Sequence, residues 1–143
     1  MDNAMAERLA TVEARITAAC IRAGRPRESV RLLPVSKTFP PESIMAAGEC
    51  GLRVFGESRV QEARQKIPLC PSQCEWHLIG HLQTNKIKDA VQLFNMLHAV
   101  DSRRLLELVD AACKVAGRTL PVCMEVNVSG EGSKYGMPAA DLP

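Results

Sequence analysis

A lysine at the end of a short apolar segment is the residue of this chain whose type and position could support covalent chemistry. Lys37 follows the apolar run of residues 32–35 and is soon followed by two adjacent prolines, which a central strand cannot accommodate. Because strand side chains alternate between faces, Leu33, Val35 and Lys37 should share one face. An ammonium group on an apolar face is unusual for packing alone, so a chemical role has to be considered.

The chemistry open to Lys37 is attack on an aldehyde to form a Schiff base. A free lysine amine has a pKa of about 10.4 and is charged at neutral pH. The rim of an apolar interior would favour the neutral amine, which is the nucleophilic form. The alternative is that the side chain simply leaves the strand and extends its charge into water. The pattern around Lys37 leaves both interpretations open.

Two histidines four residues apart, His77 and His81, form a second candidate group. On a helix this spacing could hold a metal ion. Here His77 lies in a predicted strand, His81 lies beyond it, and no third histidine or acidic ligand follows nearby, so the sequence predicts no metal site. His77 is then a packing residue. His81 lies just past the carboxyl end of the strand, where barrel proteins form their sites, and is a candidate ligand contact with loop packing as the alternative.

Helices and strands alternate along the chain. Apolar residues recur at three- and four-residue steps over residues 5–23, which predicts a helix that ends at Gly24. Ser58, with Gln61 three residues later, has the form of a capping box at the start of another helix. The predicted strands are residues 32–37, 53–56, 75–79, 96–100 and 121–128, and the helices between them are residues 40–51, 58–67, 85–93 and 102–116.

This order predicts an α/β fold with parallel strands joined by right-handed crossovers. An open doubly wound sheet and a closed eight-stranded barrel both have such an order. No Gly-x-Gly-x-x-Gly follows the first strand, which argues against the dinucleotide-binding form of the open sheet. A complete barrel needs about 250 residues, so the five predicted strands cannot close one.

Composition is that of an ordinary single-domain protein. The chain has 143 residues, of which 46% are hydrophobic and 24% charged. A formal net charge of +2 is too small to indicate a nucleic-acid partner or an anionic membrane surface. No apolar run approaches the roughly 20 residues that span a bilayer, and residues 1–8 lack the order of a signal peptide, so we expect a cytoplasmic protein. The six cysteines match no zinc or redox spacing and are expected to be free and buried.

Four blocks of sequence, in this order, resemble the pyridoxal phosphate homeostasis family, whose members are also described as alanine-racemase-like N-terminal domain proteins. The blocks are LPVSKT at residues 33–38, FGESRVQE at 55–62, WHLIGHLQTNK at 76–86 and VNVSGEGSKYG at 126–136. The resemblance extends over nearly the whole chain from residue 5 onward. Four motifs in the same order make it specific.

The resemblance implies a (β/α) TIM-type barrel of fold type III, here truncated to about five strands with an extra N-terminal helix and forming one domain over residues 1–143. It implies that Lys37 holds pyridoxal 5′-phosphate as a reversible Schiff base, in the service of cofactor homeostasis rather than of an established catalysed reaction. Ser58, His81 and Asn127 are the further expected cofactor contacts. The family usually has asparagine where Ser58 stands, so a contact of that asparagine would be altered here.

Two alternatives stay open. A racemase-like enzyme of this fold is expected to need two bases on opposite sides of its substrate, and Tyr135 is the only tyrosine that could supply one. An inactive piece is the other alternative, because the serine- and glycine-rich phosphate cradle expected on later strands is absent from the sequence. Exposed strand edges would then favour self-association. The expected partners are the cofactor and apoenzymes that use it, with neither nucleic acid nor membrane.

Overall fold

Helices alternate with parallel strands over residues 3–142, the part of the chain that the computed structural model describes. Met1, Asp2 and Pro143, which the domain prediction includes, lie outside the described residues. The helices are α1 (Asn3–Arg22), α2 (Pro41–Glu49), α3 (Val60–Lys66), α4 (Ile87–Leu93) and α5 (Arg103–Ala116), and the strands are β1 (Val54–Glu57), β2 (Glu75–Leu78), β3 (Met96–Val100) and β4 (Val122–Met124). No helix within residues 3–142 is both long and apolar enough to cross a membrane.

The strands form one parallel sheet in the order β1-β2-β3-β4. Phe55 pairs with Trp76 between β1 and β2, and Leu78 pairs with Leu97 between β2 and β3. Each strand thus lies beside the next strand in the sequence, which is the order of a barrel rather than that of a doubly wound sheet. The α/β class with parallel strands is confirmed. Because the strands are parallel, their carboxyl ends all lie at the same end of the sheet.

Local signals explain the helix that carries the clearest pattern, α5. Leu105, Val109 and Cys113 recur at four-residue steps and are buried against the sheet. The Ser102 hydroxyl accepts a hydrogen bond from the Leu105 N–H at 3.2 Å, which caps the first turn. Gly117 ends the helix at φ 62°, in the left-handed region.

The core lies on one face of the sheet, and the other face is more open. Phe55, Trp76, Leu78 and Leu97 alternate along β1 to β3 and pack against the helices. On the opposite face, a Cβ built on Gly56 would lie 3.3 Å from a methyl of Ile79 and 3.6 Å from Leu33. The helix residues that complete the core include Ile44, Ala63, Ala90, Val91 and Val109.

Two of the predicted strands are shorter than expected. Residues 32–37 make only an isolated parallel bridge, between Val35 and Gly56, rather than a strand. Pro34 has no N–H to extend the ladder, and the chain turns immediately afterwards at Thr38, whose φ is 67°. At the far edge β4 ends at Met124 and Val126 forms a separate bridge with Met137. The sheet therefore has four strands, and the prediction of five was wrong within residues 3–142.

Two helix starts also differ from the prediction. Ser58 does not cap α3: the helix begins at Val60, its N-cap is Arg59, and no side chain caps it. The chain after β1 stays extended through Arg59, so the capping-box spacing falls out of register. Before α4, Thr84–Lys86 form a short 3₁₀ turn, so the α-helix begins at Ile87 rather than at residue 85.

The loops that follow β1 and β2 approach each other at Gly80. A Cβ at Gly80 would lie 2.2 Å from the Ser58 carbonyl oxygen, far inside contact distance. We expect Gly80→Ala to lower the free energy of unfolding by about 1–3 kcal/mol, because backbone rather than a flexible side chain would have to move. Urea denaturation measures the change.

Gly132→Ala is the matched control, because nothing lies within 4 Å of a Cβ at that position and no unusual φ is required there. It should change the unfolding free energy by no more than about 0.5 kcal/mol. Equal stabilities of the two variants would contradict the close approach of the Ser58 and Gly80 backbones.

Candidate functional site

Residues 32–37 lie beside β1 at one side of the sheet, and we call them the edge segment. Lys37 is the last residue of this segment, between a buried Ser36 and Thr38, whose backbone is in the left-handed region. Its side chain is exposed and has no hydrogen-bond or ion-pair partner within residues 3–142. Val35, on the same face, is 45% exposed. Of the two interpretations left open by the sequence, the side chain that extends into water is therefore the one observed, because residues 32–37 make a single bridge and their apolar side chains do not cover the amine.

A buried polar cluster lies directly behind this segment; we call it the Glu57–Lys66 cluster, formed by Ser36, Glu57, Glu62 and Lys66. Lys66 Nζ donates hydrogen bonds to Glu57 Oε1 at 2.7 Å, to Glu62 Oε1 at 2.8 Å and to the Ser36 carbonyl at 2.8 Å. The Ser36 hydroxyl donates to the same Glu57 oxygen at 2.7 Å. Thr38 N–H donates to Glu62 Oε1 at 2.6 Å, so bonds from this cluster reach the residues on both sides of Lys37.

The charges of the cluster stabilise one another. Burial lowers the pKa of Lys66, but hydrogen bonds to Glu57 and Glu62 outweigh burial and hold that pKa above its ordinary value of 10.5. The hydrogen bond from Lys66 lowers the pKa of Glu62 from 4.5, against the opposing effect of burial, and the Thr38 N–H lowers it further. At neutral pH, therefore, Lys66 is a cation and Glu62 an anion.

Ser58 lines a groove at the carboxyl ends of β1 and β2. The groove has a volume of about 460 Å³ and includes Gly80, His81 and Lys86 in its lining. Ser58 is half-buried, and its backbone forms the close contact with Gly80. The structure thus brings the predicted contacts Ser58 and His81 to one groove, whereas Lys37 is not among the groove's lining residues.

His81 is held from two sides. Its Nδ1 lies 3.0 Å from Asp101 Oδ2, at the end of β3. Its ring stacks on Tyr135 of the glycine-rich loop, with centroids 4.3 Å apart and an interplanar angle of 18°. His81 therefore links the carboxyl ends of β2 and β3 with the loop that follows β4.

Asn127 organises the glycine-rich loop through its side-chain amide. Its Nδ2 donates to the Glu131 carbonyl at 2.9 Å, and its Oδ1 accepts from the Gly130 N–H at 3.0 Å. The Ser129 hydroxyl is a third partner, at 3.2 Å from Oδ1. The amide is thus occupied within the loop, as expected for a structural asparagine in a turn.

A histidine pair lies on the open face of the sheet, His77 on β2 and His98 on β3. His77 Nδ1 and His98 Nε2 are 3.0 Å apart, so one ring donates a hydrogen bond to the other. Burial lowers the pKa of His77 from 6.5, and the nearby His98 and Arg31 lower it further. His77 packs as predicted, but its partner His98 was missed. The signal was available, because alternate residues of neighbouring parallel strands share a face.

The Glu57–Lys66 cluster was also missed from the sequence. Glu57 follows Val54, Phe55 and Gly56 in a fully buried strand and is itself 0% exposed. An acidic residue inside such a strand signals a buried partner, since an unpaired charge there is costly. Lys66 could have been suggested by its four-residue spacing from Glu62 on α3, but its contact with β1 depends on tertiary packing.

Family comparison matches almost the whole chain. The family described as alanine racemase, N-terminal domain, matches residues 8–143. The pyridoxal phosphate homeostasis protein of Aquifex aeolicus is 42% identical over 137 residues, covering 95% of this chain and 60% of that protein. The protein of the same name from Pseudomonas aeruginosa is 40% identical over 142 residues, covering 99% of this chain and 62% of that protein.

A solved structure has the same fold. The structure of PipY from Synechococcus elongatus PCC7942 with PLP bound is similar with a TM-score of 0.79 and 38% identity, covering 96% of this chain and 60% of that chain. The structure of PipY without PLP is similar with a TM-score of 0.83 at the same identity. The chain spans about three fifths of the length of these relatives.

The pKa of His77 makes a pH dependence testable. Because the folded protein holds this pKa below 6.5, the unfolded chain binds the proton first as the pH falls. The free energy of unfolding should therefore decrease as the pH falls through 6.5, and His77→Gln should weaken that decrease. Denaturant titrations at about pH 8, 7, 6 and 5 measure both proteins. An identical pH dependence in wild type and variant would contradict the assignment.

Proposed function

The chain belongs to the alanine racemase N-terminal domain family, and from that membership we propose that it binds pyridoxal 5′-phosphate and serves in homeostasis of this cofactor. The Aquifex and Pseudomonas relatives are named for that role, and PipY has been solved with PLP bound. The observation that carries the proposal is an amine without a partner within residues 3–142, Lys37, whose neighbouring residues Ser36 and Thr38 are held by hydrogen bonds to Lys66 and Glu62.

The residues present fit a ligand that carries an aldehyde. Lys37 is exposed and makes no ion pair within the described part of the chain, so no carboxylate competes for its amine. It is the last residue of the edge segment, and so it lies at the carboxyl ends of the strands, where proteins built from parallel strands and helices place their sites. The other lysine close to this segment, Lys66, is buried and committed to two carboxylates, so it is unsuited to this chemistry.

The proposed step is condensation at Lys37 Nζ. The cofactor, when bound, supplies an aldehyde carbon. The deprotonated amine of Lys37 forms a bond to that carbon and loses its two protons, and the aldehyde oxygen leaves as water. Water or a second amine reverses the step and restores the free lysine. Because Lys37 is exposed, such reagents can reach it, which favours a carrier that releases its cargo.

We also propose roles for the three other predicted contacts. Ser58 offers its hydroxyl from the groove at the carboxyl ends of β1 and β2. His81, whose Nδ1 is held by Asp101, contributes its other ring nitrogen. Asn127 acts indirectly, by fixing the glycine-rich loop that presents Tyr135 to His81.

The sheet is proposed to be part of a (β/α) barrel domain of fold type III. Four parallel strands in sequential order, with helices covering one face, are the arrangement that such a barrel repeats. The face bearing His77 and His98 would line the interior of the barrel. A cytoplasmic location, and apoenzymes as recipients of the cofactor, stay predictions.

Self-association is a further part of the proposal. At the edge segment the apolar side chains of Val35 and Phe39 are exposed, and only one bridge joins the segment to β1. An open strand edge with exposed apolar residues favours contact between copies. The racemase-like alternative would require Tyr135 as a base, but its ring is stacked on His81, which favours the carrier.

Lys37→Ala tests the proposal. Wild-type protein mixed with pyridoxal phosphate and reduced with borohydride should gain one cofactor mass on the peptide that contains Lys37, because the reduced bond is permanent. The variant should lose that adduct, with mass spectrometry as the measurement. Lys88→Ala, an exposed lysine of α4, is the matched control and should retain it.

The outcome also separates the alternatives. An adduct located on other lysines, with none on Lys37, would contradict the assigned residue. No adduct in the wild type would favour the inactive alternative, whereas turnover of an amino acid by the loaded protein would favour the enzyme.

A further inference from the structure

The residues on both sides of Lys37 are fixed by one buried ion-pair cluster. Lys66 Nζ bonds the Ser36 carbonyl before Lys37, and the Glu62 carboxylate bonds the Thr38 N–H after it. The same Glu62 oxygen also accepts from Lys66 Nζ, so the two anchors belong to one connected network. Lys37 is the only residue between the two anchored positions.

The backbone conformation next to Lys37 needs such support. Thr38 has φ 67° and is the only non-glycine residue with positive φ within residues 3–142. This region is unfavourable for a β-branched side chain and persists where the surroundings impose it. Two contacts support it: the Thr38 N–H bond to Glu62, and the Phe39 N–H bond to the Ser36 carbonyl at 3.1 Å across the same turn.

The cluster is built into the core of the fold. Glu57 is fully buried in β1 and Lys66 is 6% exposed at the end of α3. Glu57 Oε1 accepts from both Lys66 and Ser36, whereas Glu57 Oε2 has no hydrogen-bond partner. Replacing such a pair by apolar residues is often neutral or stabilising, so stability alone does not account for its presence.

From these contacts we infer that Glu62 and Lys66 are positioning residues for Lys37: they hold the Ser36–Thr38 turn in the strained form that presents the amine, and thereby control how firmly a Schiff base is retained there. This inference rests on the proposed function of Lys37. Neither residue contacts the aldehyde. Both act through the backbone that carries Lys37, in the way that a supporting residue fixes a reactive group.

Glu62→Ala and Glu62→Gln form the central test in the full chain. Alanine removes the acceptor for the Thr38 N–H, whereas glutamine keeps an oxygen at the same distance along the side chain. We expect Glu62→Ala to release bound pyridoxal phosphate to an added amine about tenfold or more faster than wild type, followed by visible absorbance. Glu62→Gln should restore most of the retention. If Glu62 mattered only for stability, the alanine and glutamine variants would release the cofactor at the same rate whenever their melting temperatures were equal.

Asp89→Ala is the matched control. Asp89, on α4, forms an ion pair at 3.3 Å with Arg64, which lies on α3 as Glu62 does. Asp89 does not contact the segment around Lys37. It should release the cofactor at the wild-type rate. A double variant, Glu57→Gln with Lys66→Met, removes the buried charge pair and the bond to the Ser36 carbonyl but keeps the bond between Glu62 and Thr38, and it should release the cofactor faster than wild type.

Hydrogen exchange of the Thr38 amide without cofactor provides a readout independent of cofactor chemistry. Exchange should be about tenfold or more faster in Glu62→Ala than in wild type or Asp89→Ala, because the amide loses its acceptor. If wild-type protein forms no adduct on Lys37, the proposed function fails while the exchange data still test the anchoring. Wild-type amide exchange or wild-type cofactor release in Glu62→Ala would overturn the inference.

Discussion

A buried carboxylate is the constraint on which this structure depends. Glu57 ends β1 with no exposed surface, and a charge in such a position must be matched by a partner on another element. Lys66 supplies the match from the end of α3, which fixes how this short helix lies against the strand. Because Lys66 also bonds Ser36, the same charge pair attaches the edge segment to the sheet.

This attachment explains how a weakly paired segment can still be well placed. A single bridge between Val35 and Gly56 would leave residues 32–37 with little reason to keep one conformation. The cluster adds bonds from the helix side, while the side chain of Lys37 itself is exposed. Lys37 is therefore positioned by the backbone on both sides of it rather than by contacts of its side chain, which leaves its amine exposed.

The sequence predicted the parts of the fold that local signals control. The alternation of elements predicted parallel strands, and the helix predicted over residues 102–116 is α5, Arg103–Ala116. It failed where the outcome depended on contacts between elements. Residues 32–37 have a strand-like pattern, but Pro34 limits their pairing, and the extended chain at Arg59 moves the start of α3 away from Ser58.

In the candidate site, too, local sequence signals identified single residues but not the contacts between elements. The four motif blocks made Lys37, Ser58, His81 and Asn127 candidates, but they did not show which groups contact this region, although Glu62 and Tyr135 lie inside the blocks. Glu62 accepts a hydrogen bond from Thr38, the residue after Lys37, while Asp101 forms an ion contact with His81 and Tyr135 stacks on the same ring. Such contacts depend on strand order and helix docking, which no spacing within a motif encodes.

Parallel order itself accounts for the convergence of the polar groups. Lys37, Ser58, His81 and Asp101 each lie at or just after the end of a strand or of the edge segment, and parallel neighbours bring those ends to one rim. At Gly80 the loops that follow β1 and β2 are in backbone contact. A polar residue in the middle of a strand, such as His98, instead meets its neighbour on the face of the sheet. Position along the strand therefore separates groups available to a ligand at the rim from groups that pair with each other.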